Sequence, residues 1–234
     1  MGNPQKVKRL FDDISGTYDI LNRLLSFSID KRWRKKGVAK LPHGDSVKIL
    51  DLASGTMDLA LQYTQNGPGK VWCVDFSMPM LTQGLSKVSP DLNQRIIPVC
   101  ADGLRLPFPD RYFDAAMCAY GMRNLELNKK GLKELYRVLK PGASLLILEF
   151  FRPTTLPAKI FYNTYGRYII PMVGNWFSRN KKAYQYLQSS IRNYYSLSEY
   201  QELMKEYGFK ILQAKNFSGG ISSMILASNN GHGK

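Results

Sequence analysis

The strongest constraint on this chain lies in residues 47–149, where short apolar runs alternate with stretches of helical periodicity. Runs at 47–52, 71–75, 96–101, 113–119 and 144–150 have the length and character of buried strands. Helical patterns fall between them at 57–65, at 78–88, and through Leu132, Leu135, Tyr136 and Leu139, where Pro141-Gly142 is expected to end the helix. Parallel strands need a crossover between each pair, and a helix is the usual one, so this alternation predicts a doubly wound α/β sheet. A helix at 198–207, a strand at 210–216, Gly219-Gly220 and a strand at 224–228 then read as a closing hairpin.

Three acidic residues sit where such a sheet binds ligands, outside the carboxyl ends of its strands. The first strand runs into Asp51-Leu52-Ala53-Ser54-Gly55-Thr56, a tight turn whose backbone N–H groups can approach a ligand carboxylate. Asp75, in Asp75-Phe76-Ser77, closes the second strand and is placed to hold both hydroxyls of a ribose. Asp102-Gly103 follows the third strand, with Asp102 expected to accept a hydrogen bond from an adenine amine. Together they predict a nucleoside site, and because the turn lacks G-x-G-x-x-G it is not a dinucleotide site.

Composition narrows the partners. The chain has 33 Lys and Arg against 18 Asp and Glu, a net charge of +15, which draws a surface to polyanions or anionic bilayers. Residues 150–198 contain no acidic residue, seven basic ones and twelve aromatics, among them Phe161, Tyr162, Tyr165, Tyr168, Trp176 and Phe177. Lys31-Arg32-Trp33-Arg34-Lys35-Lys36 is read as a second basic surface patch. Cys73, Cys100 and Cys118 are scattered, without a CxxC pair, so neither a metal site nor a disulfide framework is expected and a reducing cytoplasm fits. The basic N-terminus has no apolar core of a signal peptide, and no run approaches the roughly 20 apolar residues of a span.

The motifs are more specific than the pattern. Leu50 through Thr56, then Val74-Asp75-Phe76-Ser77-Met78-Pro79-Met80-Leu81, then Ala101-Asp102-Gly103-Leu104-Arg105-Leu106-Pro107-Phe108 resemble methyltransferase motifs I, II and III in order and spacing. Tyr18-Asp19-Ile20-Leu21-Asn22-Arg23-Leu24-Leu25-Ser26-Phe27, ending in Trp33-Arg34, resembles the first signature of the ubiquinone/menaquinone biosynthesis C-methyltransferases. Tyr120-Gly121-Met122-Arg123-Asn124-Leu125 is similar to that family's motif after strand four, and the stretch from Arg137 to Phe150 to its second signature. Tyr186-Leu187 with Ser190-Ile191, Gly208-Phe209 and Gly219-Gly220-Ile221 continue the likeness over nearly the whole chain.

The resemblance implies a class I methyltransferase Rossmann-like fold: a mostly parallel seven-stranded sheet with an antiparallel final strand, N-terminal helices, and a helical insertion after strand five. One domain is expected over 1–228, with a cap at 1–46, a core at 47–149, a substrate-covering insertion at 150–198 and core completion at 198–228. A disordered tail is expected at 229–234. The implied cofactor is S-adenosylmethionine, with no metal, held by Asp51, Ser54, Gly55, Thr56, Asp75, Phe76, Asp102, Gly103 and Ala119. Met57 stands where the family usually carries glycine, and its soft side chain is expected to bend around the ligand. Asp30 stands in place of a family histidine and Ser28 in place of a glycine.

The implied reaction moves a methyl group to a ring carbon of a prenylated quinol, demethylmenaquinol first and a ubiquinone-pathway benzoquinol as alternative. Arg123 and Asn124 are the expected catalytic pair: Arg123 steadying a developing quinolate, or else only pairing with Glu149, and Asn124 orienting the hydroxyl. Tyr18, Asp19 and Asn22 are expected to cap the pocket, with Asp19 or Asp30 as the base. Peripheral attachment to an anionic membrane on its cytoplasmic face, a homodimer and no nucleic-acid partner complete the expectations. An RNA or protein methyltransferase and a non-catalytic scaffold remain as other readings.

Overall fold

A computed structural model describes Asp12 and residues 29–124, 128–164 and 181–231 of the chain. Tyr18, Asp19, Asn22 and Ser28 lie outside the described residues, as do residues 165–180 of the insertion. The strands are β1 (Lys48–Leu52), β2 (Lys70–Asp75), β3 (Ile96–Cys100), β4 (Phe113–Ala119), β5 (Leu139–Glu149), β6 (Phe209–Phe217) and β7 (Ser222–Asn229). They form one sheet in the order β3-β2-β1-β4-β5-β7-β6, parallel except for β7, which runs antiparallel to both neighbours. The order reverses between β1 and β4, so the loops leaving these strands diverge and open a crevice there.

Helices α1 (Asp30–Val38), α2 (Asp58–Thr64), α3 (Met78–Leu85), α4 (Asn128–Val138), α5 (Leu156–Thr164), α6 (Lys181–Arg192) and α7 (Leu197–Glu206) accompany the sheet. Side chains alternate across a strand, and the core divides accordingly. Leu50, Ala116, Leu145 and Ile147 face α4 and α7 through Leu132, Leu135, Tyr200 and Met204. Ile49, Val71, Met117 and Leu146 face α1, α2 and α3 through Trp33, Val38, Leu59, Tyr63 and Leu81.

Two boundaries differ from expectation. Helix α4 ends at Val138, before Pro141-Gly142, and β5 starts at once with Leu139. Leu139 pairs with Phe113 and Ser144 with Ala115, so the proline and glycine sit in a bulge of the strand, where Pro141 removes no needed ladder hydrogen bond. Gly142 there has φ +78°, which glycine adopts without strain. The tail expected to lack structure from Asn229 is bound as far as Gly231. Asn229 is buried and its Nδ2 donates to Tyr136 O at 3.2 Å and Leu139 O at 2.9 Å, while Asn230 N donates to Gly208 O at 3.0 Å.

Met57, expected to bend around the ligand, packs against a neighbouring helix and does not line the crevice. It has φ +62°, the left-handed backbone that glycine takes freely, and its fully buried side chain lies against Gly84 of α3. A Cβ on Gly84 would stand 2.7 Å from Met57 Cγ and 3.0 Å from the Thr56 carbonyl carbon. Gly84→Ala is therefore expected to cost about 1–3 kcal/mol of stability through overpacking. Adding Met57→Ala should recover most of the side-chain part. Urea denaturation of the four members of the cycle reads the coupling, and additive losses would show that the two residues do not oppose each other.

Candidate cofactor site and active site

The crevice between β1, β2 and β4 encloses about 570 Å³, its open mouth included. Gly55, Asp75, Phe76, Gly103, Ala119 and Asn124 of the expected site line it, together with Tyr120 and Gly121. Gly121 is required for close approach, since a Cβ there would stand 2.5 Å from Ala53 Cβ. Asp75 ties two loops together: its Oδ2 accepts from Gly55 N at 2.8 Å and its Oδ1 from Ser77 N at 2.9 Å. Burial nevertheless outweighs these bonds and raises its carboxyl above the ordinary range. Ser77 Oγ in turn donates to Asp12 Oδ1 at 2.5 Å, bringing a second carboxylate from the N-terminal segment to the same turn.

Asp51, Ser54 and Thr56 do not line the crevice but adjoin residues that do. Asp51 and Thr56 are buried, and Asp51 Oδ2 and the Ser54 hydroxyl have no hydrogen-bond partner among the described residues. Burial pushes the Asp51 carboxyl well above the carboxylate range, with the nearby Arg34 charge pulling the other way. Buried polar atoms are nearly always paired, so orphans directly behind the lining residues Leu52, Ala53 and Gly55 fit a ligand that brings polar groups of its own. Asp102 follows β3, as expected, next to the lining residue Gly103. It is exposed, and its Oδ1 accepts from Leu104 N at 2.9 Å in its own turn.

On the other wall, the turn Met122–Asn124 holds Arg123 and Asn124 in unequal roles. Arg123 Nη1 contacts Glu149 Oε1 at 2.5 Å and donates to Tyr120 O at 2.9 Å, its Nε donates to Ser190 Oγ at 3.3 Å, and its backbone N to Glu149 Oε2 at 3.1 Å. The pairing with Glu149, one of the two roles considered for Arg123, is thus present and almost wholly buried. Asn124 faces the crevice, its Nδ2 donating to Tyr120 O at 3.3 Å and its Oδ1 accepting from Tyr186 Oη at 3.0 Å. Asp30 is buried 3.2 Å from Arg34, and Tyr18 lies outside the described residues.

Sequence reasoning missed Tyr186 and Ser190 as supports of Asn124 and Arg123. Their spacing of four puts both on one face of α6, a signal that was present, but nothing in the sequence joins α6 to the turn after β4. It also placed Arg34 on the surface. Asp30, Trp33, Arg34, Gly37 and Val38 are the buried residues of α1, an i, i+3, i+4, i+7, i+8 stripe that the run of basic residues obscures. The basic surface of α1 is therefore Lys31, Arg32, Lys35 and Lys36.

A sheet of this order, with one antiparallel strand and a crevice at the β1/β4 reversal, defines the class I S-adenosylmethionine-dependent methyltransferases. Solved structures with this fold include the [4+2]-cyclase SpnF, at TM-score 0.73 and 14% identity over 97% of this chain and 96% of that one. A SAM-dependent methyltransferase from Thermotoga maritima aligns at TM-score 0.65 and 17% identity, over 95% of this chain and 99% of that one. The chain belongs to the ubiE/COQ5 methyltransferase family, whose model matches residues 1–228. A demethylmenaquinone methyltransferase of Porphyromonas gingivalis is 38% identical over 225 residues, covering 95% of this chain and 92% of that protein. A ubiquinone/menaquinone biosynthesis C-methyltransferase of Geotalea daltonii is 37% identical over 227 residues, covering 94% of each. The chain is accordingly an enzyme with S-adenosylmethionine as methyl donor, and among the described residues no group of His, Cys, Asp or Glu is arranged to hold a metal ion.

The raised Asp51 carboxyl has a measurable consequence if it meets the cationic end of the cofactor. A carboxyl whose pKa is raised in the free protein and lowered in the complex releases a proton on binding at pH values between the two, so affinity falls as pH drops through the raised pKa. Cofactor affinity is expected to weaken on acidification from above the ordinary carboxylate range. Calorimetry in buffers of different ionisation enthalpy should detect the released proton, and Asp51→Asn should abolish it.

Proposed function

We propose that this enzyme methylates a ring carbon of a prenylated quinol, with demethylmenaquinol as the substrate and menaquinol as the product. The observation that carries the reading is kinship over 95% of the chain to a protein named demethylmenaquinone methyltransferase. The name of the Geotalea daltonii relative favours a second substrate, the benzoquinol of ubiquinone synthesis. When bound, S-adenosylmethionine supplies an electrophilic methyl group. The chain's own work is to align a nucleophilic carbon with it and to favour the quinolate over the quinol, and alignment of this kind contributes roughly 7–11 kcal/mol in well-oriented systems.

Asn124 is the group we assign to the quinol oxygen. Its amide is oriented by Tyr120 O and Tyr186 Oη, which leaves a second N–H for the ligand. Arg123 acts from behind as a positioning residue, since its guanidinium is engaged by Glu149, Tyr120 O and Ser190. Tyr186→Phe removes one hydroxyl and frees the amide to turn. Turnover is expected to fall about tenfold, near the worth of one hydrogen bond, with cofactor affinity unchanged. In an Asn124→Ala background the same substitution should have no further effect on turnover, whereas an independent loss would place Tyr186 outside the Asn124 arrangement.

A polyprenyl tail stays in a bilayer at about 0.8 kcal/mol per CH₂, so the enzyme must come to its substrate. Among the described residues no helix is long and apolar enough to cross a membrane. Attachment by a surface suits Leu156 and Ile160 of α5, which are 69% and 56% exposed one turn apart with Lys159 beside them, and the four exposed cations of α1. The test is a panel of demethylated naphtho- and benzoquinols with labelled cofactor. Long-tailed substrate is expected to react faster in anionic than in zwitterionic vesicles, with the difference lost near 1 M salt, where the Debye length is about 3 Å. Short-tailed substrate should ignore the vesicles. Absence of product from every quinol would overturn the reading.

A further inference from the structure

Arg34 carries a charge that the quinol chemistry leaves unused. Its Nη1 contacts Asp58 Oδ2 at 2.5 Å and its Nη2 lies 3.2 Å from Asp30 Oδ2, while Asp58 Oδ1 takes Lys87 Nζ at 2.5 Å. Its guanidinium carbon lies 5.8 Å from the ring centroid of Tyr120, a residue of the crevice wall. The remaining donor, Nε–H, is buried and has no hydrogen-bond partner among the described residues. Arg34 as a whole is only 8% exposed.

Asp51 Oδ2 and the Ser54 hydroxyl share that condition, and no others among the described residues do. The three orphans belong to segments that converge at the end of β1. Asp51 falls on the strand face of Ile49, the face packed on Trp33 and Val38 of α1. Ser54 opens the turn that leads into α2, whose first residue, Asp58, Arg34 grips. The charge of Arg34 is also among the influences felt by the Asp51 carboxyl, after burial and a backbone hydrogen bond. Yet Arg34 and Asp51 do not bond each other. A buried N–H donor on Arg34 and a buried carboxyl oxygen on Asp51, each without a partner, cost free energy unless a ligand supplies both.

The complement of this set is a zwitterion, with an ammonium for the carboxylate and a carboxylate for the cation and the hydroxyl. S-adenosylmethionine carries one at its amino-acid end, opposite the ribose for which Asp75 is placed. We propose that Arg34 is a cofactor-binding residue, its Nε–H and the Ser54 hydroxyl receiving the α-carboxylate of the cofactor while Asp51 receives the α-ammonium. This rests on the crevice being the cofactor site. It also gives helix α1 a direct part in reading the cofactor, beyond covering the sheet.

The test separates the two ends of the cofactor. The full-length protein is titrated by calorimetry with S-adenosylhomocysteine, which has the amino-acid end, and with 5′-methylthioadenosine, which lacks it. Arg34→Met is expected to weaken S-adenosylhomocysteine by about tenfold or more, the loss of one charge-assisted hydrogen bond, and methylthioadenosine by less than about twofold. Ser54→Ala, which leaves the ion pairs intact, should lower the same affinity ratio to a smaller extent. Equal weakening of both ligands by Arg34→Met would make Arg34 a latch of the fold alone and overturn the proposal, and so would no change in either. Should Arg34→Met fail to fold, Arg34→Lys and Ser54→Ala carry the test, and an unchanged ratio in both overturns it. A wild-type protein that binds neither ligand would instead remove the cofactor reading of the crevice, and the proposal with it.

Discussion

Asp51 stands one residue from the end of a strand whose other buried side chains are hydrocarbon, and placing an ionisable group there is costly unless something meets its charge. Much of the surrounding architecture follows from that cost. The β1 turn presses close to β4, with Gly121 against Ala53, and Asp75 holds the turn through Gly55 N. Helix α1, just before β1 in the chain, brings Arg34 in, and Asp58 at the start of α2 and Lys87 just after α3 tie that cation to the neighbouring helices. Pairs buried this way contribute little net stability, yet removing one partner costs several kcal/mol, so they hold a geometry more than they hold the fold.

A second restraint lies across the crevice. Glu149 closes β5 fully buried and faces Arg123, which follows β4. Two side chains of α6, Tyr186 and Ser190, reach the same turn from the insertion. The insertion therefore contributes to the wall itself. Its geometry depends on an ion pair between adjacent strands, which fixes the turn, and on hydroxyls one helical turn apart, which fix the side chains. Such supports hold the amide of Asn124 in one orientation, as the role proposed for it at the quinol oxygen requires.

Most of the sheet was legible because its causes are local. Each strand from β1 to β4 shows as a short apolar run, and the crossover helices show as periodic stripes between them. The motifs at Asp51 and Asp75 were legible for the same reason, since a strand end and the turn after it are contiguous in sequence. Errors arose where a local cue had two outcomes. Pro141-Gly142 suits a helix stop and a strand bulge equally, and pairing with Phe113 and Ala115 decided for the bulge. Asn229 and Asn230 look like a solvated tail, but Tyr136, Leu139 and Gly208 offer them partners that only the folded sheet brings near.

Met57 and Arg34 mark the boundary between the two kinds of knowledge. By itself the sequence determined the alternation of strands and helices, the strand-end acids, and the helical stripe that holds Arg34, because these depend on neighbours within a few residues. Only the tertiary structure decided where those side chains point and what they meet. Met57 turns to Gly84 instead of the crevice because an adjacent helix leaves a glycine-sized gap. Arg34 turns inward because its helix lies on the sheet, where Asp58, twenty-four residues later, meets its charge. A charge in a sequence has a sign but no direction, and direction comes from packing between segments that the chain itself keeps far apart.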